Sequence, residues 1–173
     1  TIGGDETAGE VERRLASVGA ALVLRTLDGL QTESITPTEQ REEDASYAPK
    51  LRREDGRIDW GRPAREIHDL VRGLNPWPGA FSRLGDERVK VHRTTLTGIG
   101  RGDLRPGETA LRETGRFLVA TGDELLELLE VQRECRPSVS GEECLRGLRG
   151  EECFTPWTES DPEGPTARGR VEG

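Results

Sequence analysis

Asn75-Pro76-Trp77-Pro78-Gly79-Ala80 is the stretch around which the rest of this 173-residue chain is organised. Each proline fixes φ at about −65° and restricts the residue before it to extended geometry. Gly79 then permits a turn that no side chain allows. The chain has only three Trp, three Phe and one Tyr, so a tryptophan held between two prolines is predicted to be a buried anchor. We expect Asn75, Trp77 and Gly79 to form a stiff corner between a helix and a β domain.

A helix is predicted before this corner and strands are predicted after it. Pro63 suits the first turn of the helix, and Ala64, Ile67, Val71 and Leu74 give it one apolar stripe. A short helix capped by Ser140 follows the strands. Alternating residues and turn residues predict five short strands, which is typical of a small barrel or sandwich. The predicted strands are 80–84, 88–93, 109–112, 117–121 and 125–131, with a Gly/Pro-rich loop at 98–107.

The sequence before residue 60 divides into a helix and a linker. Thr7 and Glu10 match a capping box, and apolar residues at helical spacing continue to about Leu30. This apolar face needs a partner, so we expect the helix to close a larger upstream domain and the chain to be a fragment. Trp60 is expected to anchor the end of the polar linker. The predicted parts are a last helix of a truncated domain (1–30), an interdomain linker (31–59), a β domain (60–154) and a disordered tail (155–173).

Composition and cysteine spacing limit the class of protein. The hydrophobic fraction is 32% and the charged fraction 34%, so the core must be small. No apolar run is long enough to span a membrane, and no signal-peptide pattern opens the chain. Cys135, Cys144 and Cys153 are odd in number and lack CxxC spacing. We therefore expect reduced thiols, no metal site and a cytoplasmic protein.

The net charge of −8 is unevenly distributed along the chain. Between residues 50 and 105 there are 13 Lys+Arg against 8 Asp+Glu, a balance of +5, so the remainder carries −13. A basic segment in an acidic chain is typical of a phosphate-facing surface. The alternative, a solvated cationic surface without a partner, stays open.

Motifs that carry catalysis are absent from the sequence. It contains no GxSxG, P-loop, HExxH or GxGxxG motif. Gly98-Ile99-Gly100-Arg101-Gly102 lies between predicted strands, without a following helix to bind phosphate. From the residues alone, the chain is predicted to be a binding module rather than a self-sufficient enzyme.

Several longer motifs occur together and in a fixed order within residues 1–150. The most specific are Asp5-Glu6-Thr7-Ala8-Gly9-Glu10, Tyr47-Ala48-Pro49-Lys50-Leu51, Glu54-Asp55-Gly56-Arg57-Ile58-Asp59-Trp60 and the corner itself. In this combination the chain closely resembles the C-terminal portion of the bacterial methionyl-tRNA formyltransferase family. It departs from the family's pattern at Glu134-Cys135-Arg136-Pro137 and at Cys144, which weakens one basic site and loosens the packing of the last helix.

The resemblance implies a two-domain, monomeric enzyme that formylates initiator Met-tRNA with 10-formyltetrahydrofolate. The catalytic residues and the folate site belong to the family's Rossmann-like N-terminal domain, so none maps to this chain and no cofactor is expected in it. The C-terminal domain is implied to be a small OB-like β-barrel, preceded by a helix and an extended linker, that helps to hold the tRNA. The residues expected to contact the tRNA backbone are Lys50, Arg52, Arg72, Lys90, Arg93 and Arg149.

Within the predicted β domain, alternation places Arg88, Lys90 and His92 on one strand face, so Arg93 joins them only if a bulge turns it outward. Two other functions stay open. One is the C-terminal subdomain of a sugar-nucleotide formyltransferase, and the other is a stand-alone OB-type module that binds RNA or protein.

Overall fold

The computed structural model describes residues 1–110, 115–148 and 153–155. Its helices and strands follow the predicted order, with two short 3-10 turns at Glu42–Asp44 and Glu54–Gly56. The helices are α1 (Ala8–Gln31), α2 (Ala64–Gly73) and α3 (Gly141–Arg146). The strands are β1 (Ala80–Leu84), β2 (Glu87–Gly100), β3 (Thr109–Ala110), β4 (Leu118–Ala120), β5 (Glu124–Arg133), β6 (Val139–Ser140) and β7 (Phe154–Thr155).

The strands form one antiparallel sheet whose two outer edges meet. Its order is β3-β4-β5-β2-β1-β7, with β6 paired to β5. At the edges, the Phe154 N–H donates to the Gly107 carbonyl at 2.8 Å, and Glu108 bridges to Cys153. These contacts close the sheet into a small barrel. The predicted fold class, mainly β with flanking helices, is confirmed, whereas the OB-like topology stays a prediction.

Element boundaries differ from the prediction mainly around β2. This strand continues to Gly100, which pairs with Glu124, so the predicted start of the loop at residue 98 is wrong. The reason is tertiary, because β5 is long enough to pair with the glycine-rich end of β2. The two-residue strands β6 and β7 were not predicted. Residues 111 and 112 of the third predicted strand lie outside the described residues, as does the predicted tail from residue 156 onward.

The core is built on three aromatic side chains inside the barrel. Trp60 is 1% exposed, and its ring centroid lies 5.1 Å from that of Phe154. Phe117 packs on the other side of Phe154 at 5.8 Å. The Trp60 Nε1–H donates to Ser82 Oγ at 2.9 Å, so the polar atom of the indole is satisfied in the core. The start of the β domain is thereby fixed to β1.

The corner turns its tryptophan outward instead of inward. Trp77 is 56% exposed, so the prediction that its ring is buried is wrong. The inward side of the corner is occupied by Asn75, whose Nδ2 donates to the His92 carbonyl at 2.7 Å, and by the backbone of Gly79. Gly79 has φ +84° and donates its N–H to the Leu74 carbonyl at 2.9 Å. Both X–Pro bonds, Asn75–Pro76 and Trp77–Pro78, are cis.

The helix α1 confirms its predicted cap and leaves most of its surface exposed. The Thr7 Oγ1 accepts from the Glu10 N–H, and the Glu10 carboxylate accepts from the Thr7 N–H at 2.8 Å. Beyond this first turn, its large apolar side chains are at least 44% exposed. Within the described ranges, no helix is long and apolar enough to cross a membrane. The exposed apolar side chains of α1 beyond its first turn are Leu15, Val18, Leu22, Val23, Leu24, Leu27 and Leu30.

Candidate nucleic-acid interface

The outer face of β1 and β2 carries a row of cationic side chains. Phe81 in β1 pairs with Lys90 in β2, so their side chains lie on the same face of the sheet. The Arg88 guanidinium stacks over the Phe81 ring, 3.8 Å from its centroid. This cation–π contact keeps one positive charge flat against the sheet while Lys90 extends into solvent.

The end of the linker extends this row across a third segment. Arg57 bridges to Phe81 on the side opposite Lys90. Burial lowers the pKa of Arg88, and the nearby positive charge of Arg53 lowers this pKa further, whereas Glu134 opposes the shift. Like charges disfavour each other's protonated forms, so the positive charges of Arg53 and Arg88 repel each other on this surface. We call Arg53, Arg57, Arg88 and Lys90 the cationic face.

Three of the six predicted contact residues have side chains available to a partner. Lys50, Arg52 and Lys90 are exposed and form no ion pair with any residue that the structure describes. The backbone of Arg52 is engaged, since its N–H donates to Asp55 Oδ2 at 2.7 Å and its carbonyl accepts from the Asp55 N–H at 3.3 Å. Lys50 and Arg52 lie in the segment that leads directly to the cationic face.

Arg72 and Arg93 are engaged in contacts within the chain. Arg72 Nε donates to Asp69 Oδ1 at 2.7 Å, and its Nη1 donates to the Glu6 carbonyl at 3.3 Å. Arg93 forms an ion pair with Glu10 and lies 3.9 Å from the Glu130 carboxylate. The register of β2 against β5 shifts on both sides of Arg93, so the bulge that its exposure required is present. Arg149 lies outside the described residues.

The two histidines occupy different environments. His92 Nε2 lies 3.2 Å from Gln132 Oε1, the side chain that pairs across from Lys90. His68 is 2% exposed and lies between Thr94 of β2 and the chain before α1. Among the described residues, no group of His, Cys, Asp and Glu side chains could hold a metal ion.

Besides the predicted contact Lys90, two members of the cationic face were within reach of sequence reasoning. Alternation places Arg88 on the same face as Lys90, and Arg53 directly follows the predicted contact Arg52. Arg57 carries no such signal, because its position depends on a single bridge to a strand 24 residues further along the chain.

Comparison with known proteins identifies the family. The model of the formyl transferase C-terminal domain matches residues 50–149, which include Lys50, Arg52 and the whole cationic face. This chain belongs to the formyl transferase C-terminal domain family.

The curated relatives of this formyl transferase domain are longer proteins. Methionyl-tRNA formyltransferase of Solibacter usitatus is 41% identical over 148 residues, which are 86% of this chain and 47% of the relative. The enzyme of the same name from Brucella ovis is 40% identical over 149 residues, 84% of this chain and 47% of the relative. The chain thus spans about half the length of these relatives.

Solved structures share the fold at lower identity. HypX from Aquifex aeolicus, crystallised in complex with tetrahydrofolic acid, superposes with a TM-score of 0.56 and 23% identity over 71% of this chain and 22% of that protein. A variant of HypX superposes with a TM-score of 0.61 and 20% identity over 95% of this chain and 31% of that protein. These likenesses concern the fold alone.

Proposed function

We propose that this chain is the tRNA-binding C-terminal part of a monomeric methionyl-tRNA formyltransferase. The whole enzyme would formylate the amino group of initiator Met-tRNA with 10-formyltetrahydrofolate, in the cytoplasm and at the start of translation. The relatives that share 40–41% identity with the chain carry this name. Catalysis and folate binding would belong to the half of the relatives that this chain does not cover.

The cationic face carries the tRNA-binding part of the proposal. The β1–β2 ladder fixes the backbone positions of Arg88 and Lys90, and stacking on Phe81 holds the Arg88 guanidinium in place. Contacts to phosphate supply most of the sequence-independent affinity for nucleic acid. A fixed row of guanidinium and ammonium groups, continued by Lys50 and Arg52, suits a phosphate backbone because each group adds a charge-assisted hydrogen bond.

Helix α1 supports the proposal that a further domain precedes the β domain. Its apolar side chains point to solvent over several turns, and a soluble helix of this kind needs an apolar partner. We assign that partner to the catalytic N-terminal half of the enzyme. Residues 32–53, the part of the linker between α1 and the 3-10 turn at Glu54–Gly56, would then pass between the two domains.

The tRNA-binding proposal is tested by the salt dependence of binding. The affinity of the chain for initiator tRNA is measured from about 50 to about 200 mM salt. Removing one phosphate contact should lower the magnitude of the slope of log K against log[salt] by about 0.7–0.9. Lys90→Ala and Arg52→Ala should each show this decrease, and the double variant should show about twice the change.

Arg105→Ala is the matched control, since Arg105 is also an exposed cation of the barrel but is paired with Glu108 at 2.7 Å. Its slope should equal that of the parent chain. If Lys90→Ala and Arg52→Ala keep the parent slope and affinity, the cationic face is not the surface that binds tRNA.

The catalytic part of the proposal has its own test. The chain alone, mixed with Met-tRNA and 10-formyltetrahydrofolate, should give no formyl-Met-tRNA. Fusion to the N-terminal half of the Solibacter usitatus relative should produce it. Formylation of a sugar nucleotide but not of Met-tRNA by the fusion would favour the sugar-nucleotide alternative. Retained tRNA binding without either activity would favour a stand-alone binding module.

A further inference from the structure

The segment before α1 and the first turn of α1 are held on the β domain by contacts to three separate elements. Residues 4–10 contact α2, the corner and β2, although most of α1 beyond them is exposed. The contacts come from the side chains of His68, Arg72 and Arg93 and from the backbone of Asn75. We call residues 4–10 together with these four partners the clasp.

His68 joins the segment before α1 to the interior of the β domain. Its Nδ1 lies 2.9 Å from Thr94 Oγ1 in β2, and its Nε2 lies 3.2 Å from the Gly4 carbonyl and 3.3 Å from Asp5 Oδ1. A buried imidazole needs partners for both nitrogens. One nitrogen is satisfied by the barrel and the other by residues 4 and 5, so displacing this segment would leave a buried polar atom without its partner.

Glu10 connects the N-terminal cap of α1 to Arg93 at the bulge in β2. Its carboxylate accepts from the Thr7 N–H and from Thr7 Oγ1, and it also forms the ion pair with Arg93. Arg93 reaches Glu10 only because the bulge in β2 turns its side chain outward. The same carboxylate therefore fixes the first turn of the helix and its position on the sheet.

Gly9 brings the two backbones into direct contact. Its N–H donates to the Asn75 carbonyl at 3.0 Å, and a Cβ at this position would lie 2.7 Å from Pro76 Cδ. A backbone hydrogen bond at this separation is directional, so it restricts the angle of α1 as well as its distance from the corner. Arg72 adds a further bond to the Glu6 carbonyl at 3.3 Å.

The part of the linker between α1 and the 3-10 turn at Glu54–Gly56 offers no comparable restraint. Residues 32–53 are all exposed, and their hydrogen bonds are local or reach back only to the end of α1. We propose that the clasp, and not residues 32–53, fixes the direction of α1 relative to the β domain. The direction in which α1 presents its apolar face is then set by His68, Arg93, Glu10 and Gly9. This inference does not depend on tRNA being the ligand of the cationic face.

Distance measurement between two spin labels tests the proposal. One label is attached to a cysteine introduced by Ser17→Cys on the exposed side of α1, and the other to the native, exposed Cys135 beyond β5. The exposed Cys153 is replaced by Ser, and Cys144 is kept because it is buried. The parent protein should give one narrow distance distribution. Inserting ten Gly/Ser residues between Glu39 and Gln40 should leave that distribution unchanged. Gly9→Leu and Arg93→Ala should each broaden it, and Arg93→Lys should restore part of its sharpness.

Arg116→Ala is the matched control, because it removes an ion pair, to Glu127 at 2.6 Å, that lies within the barrel and away from α1. Thermal unfolding followed by tryptophan fluorescence checks that the β domain stays folded in every variant. If Gly9→Leu does not fold, the distance distribution of Arg93→Ala tests the proposal, because the Arg93 side chain is exposed and its removal leaves the core intact. A broad distribution in the parent, broadening on linker insertion, or a narrow distribution in the clasp variants would each overturn the proposal.

Discussion

At the scale of single residues, the two tryptophans near the ends of α2 should contribute very differently to stability. Trp60 is 1% exposed and Trp77 is 56% exposed. Trp60→Ala should lower the free energy of unfolding by about 3–5 kcal/mol, because it removes a fully buried ring and leaves a cavity. Trp77→Ala should lower it by less than about 1 kcal/mol, as expected of a surface position. Urea unfolding of both variants and the parent measures the difference.

Equal losses for the two variants would contradict this assignment of core and surface. Sequence reasoning treated both tryptophans as anchors, and its prediction that the Trp77 ring is buried is wrong. The pattern of prolines fixes the backbone around residue 77, whereas the direction of the ring depends on what fills the inward side. That place is taken by Asn75, which bonds to the His92 carbonyl 17 residues away.

Glu10 should make the stability of the protein depend on acid pH. Hydrogen bonds from Thr7 and from Arg93 lower the pKa of its carboxyl from 4.5 to about 2. A lowered pKa in the folded state means that the stabilisation is present above pH 4.5 and is lost as the pH falls toward 2. Glu6, in the segment before α1, is the like charge that interacts with Glu10, and Glu130 of β5 lies 3.9 Å from Arg93.

The experiment for Glu10 compares the parent with Glu10→Gln between about pH 2 and pH 6. The loss of stability with falling pH should be smaller in Glu10→Gln, because one carboxylate with a lowered pKa has been removed. Parallel curves for the two proteins would show that the Glu10 contacts do not stabilise the folded state. Asp86→Asn is a suitable control, since its side chain is 100% exposed in the turn between β1 and β2.

At the scale of elements, two glycines differ in how closely other atoms pack around them. A Cβ on Gly56 would lie 2.1 Å from the Gly79 carbonyl oxygen, whereas one on Gly19 in α1 would meet nothing within 4 Å. Gly56→Ala should therefore destabilise the β domain by about 1–3 kcal/mol through backbone strain. Gly19→Ala should raise the helicity of α1, since Ala is favoured over Gly by about 1 kcal/mol in a helix.

Circular dichroism and urea unfolding of the two glycine variants check these opposite effects. A Gly56→Ala protein with parent stability would mean that the end of the linker does not pack on the corner as closely as described. An unchanged helical signal in Gly19→Ala would mean that packing, and not propensity, limits the helicity of α1.

Element positions were predictable where periodicity or capping residues determine them locally. The cap of α1, the extent of β1 and the cap of α3 by Ser140 follow from such patterns. The strands β6 and β7 have two residues each and exist only because β5 and β1 are beside them. The contacts of Arg72 with the Glu6 carbonyl and of Arg93 with Glu10 were equally inaccessible, because these partners lie 66 and 83 residues away in sequence.

At the scale of the whole molecule, the net charge of the chain and the charge of the cationic face have opposite signs. The net charge of −8 coexists with a cationic face because acidic residues dominate other parts of the chain. A net negative protein repels nucleic acid at long range, so a local cationic face also restricts the orientation in which a polyanion can approach. Screening by salt weakens both this long-range repulsion and the attraction at the cationic face.

Connectivity predicts where proteases cut the folded molecule. The linker holds Arg41, Lys50, Arg52 and Arg53, all exposed in a segment with only local hydrogen bonds. Lys90 is also exposed, but its backbone pairs with both β1 and β5, so cleavage there requires the ladder to open. Brief trypsin treatment should therefore cut within residues 41–53 before any strand, as mass spectrometry of the first products would show.

A linker variant sharpens this test by moving the expected site. When Lys50, Arg52 and Arg53 are replaced by Gln, the first cut among the described residues should shift to Arg41, because the other described arginines of the β domain lie in paired strands, in helices or in hydrogen-bonded loops. If Arg88, Lys90 or Arg133 is cleaved at the earliest time point in either protein, the barrel does not form the protected unit that its strand pairing implies. If residues 41–53 resist trypsin in the parent, contacts to the β domain hold them in place. That result would contradict the proposal that the clasp alone fixes the direction of α1.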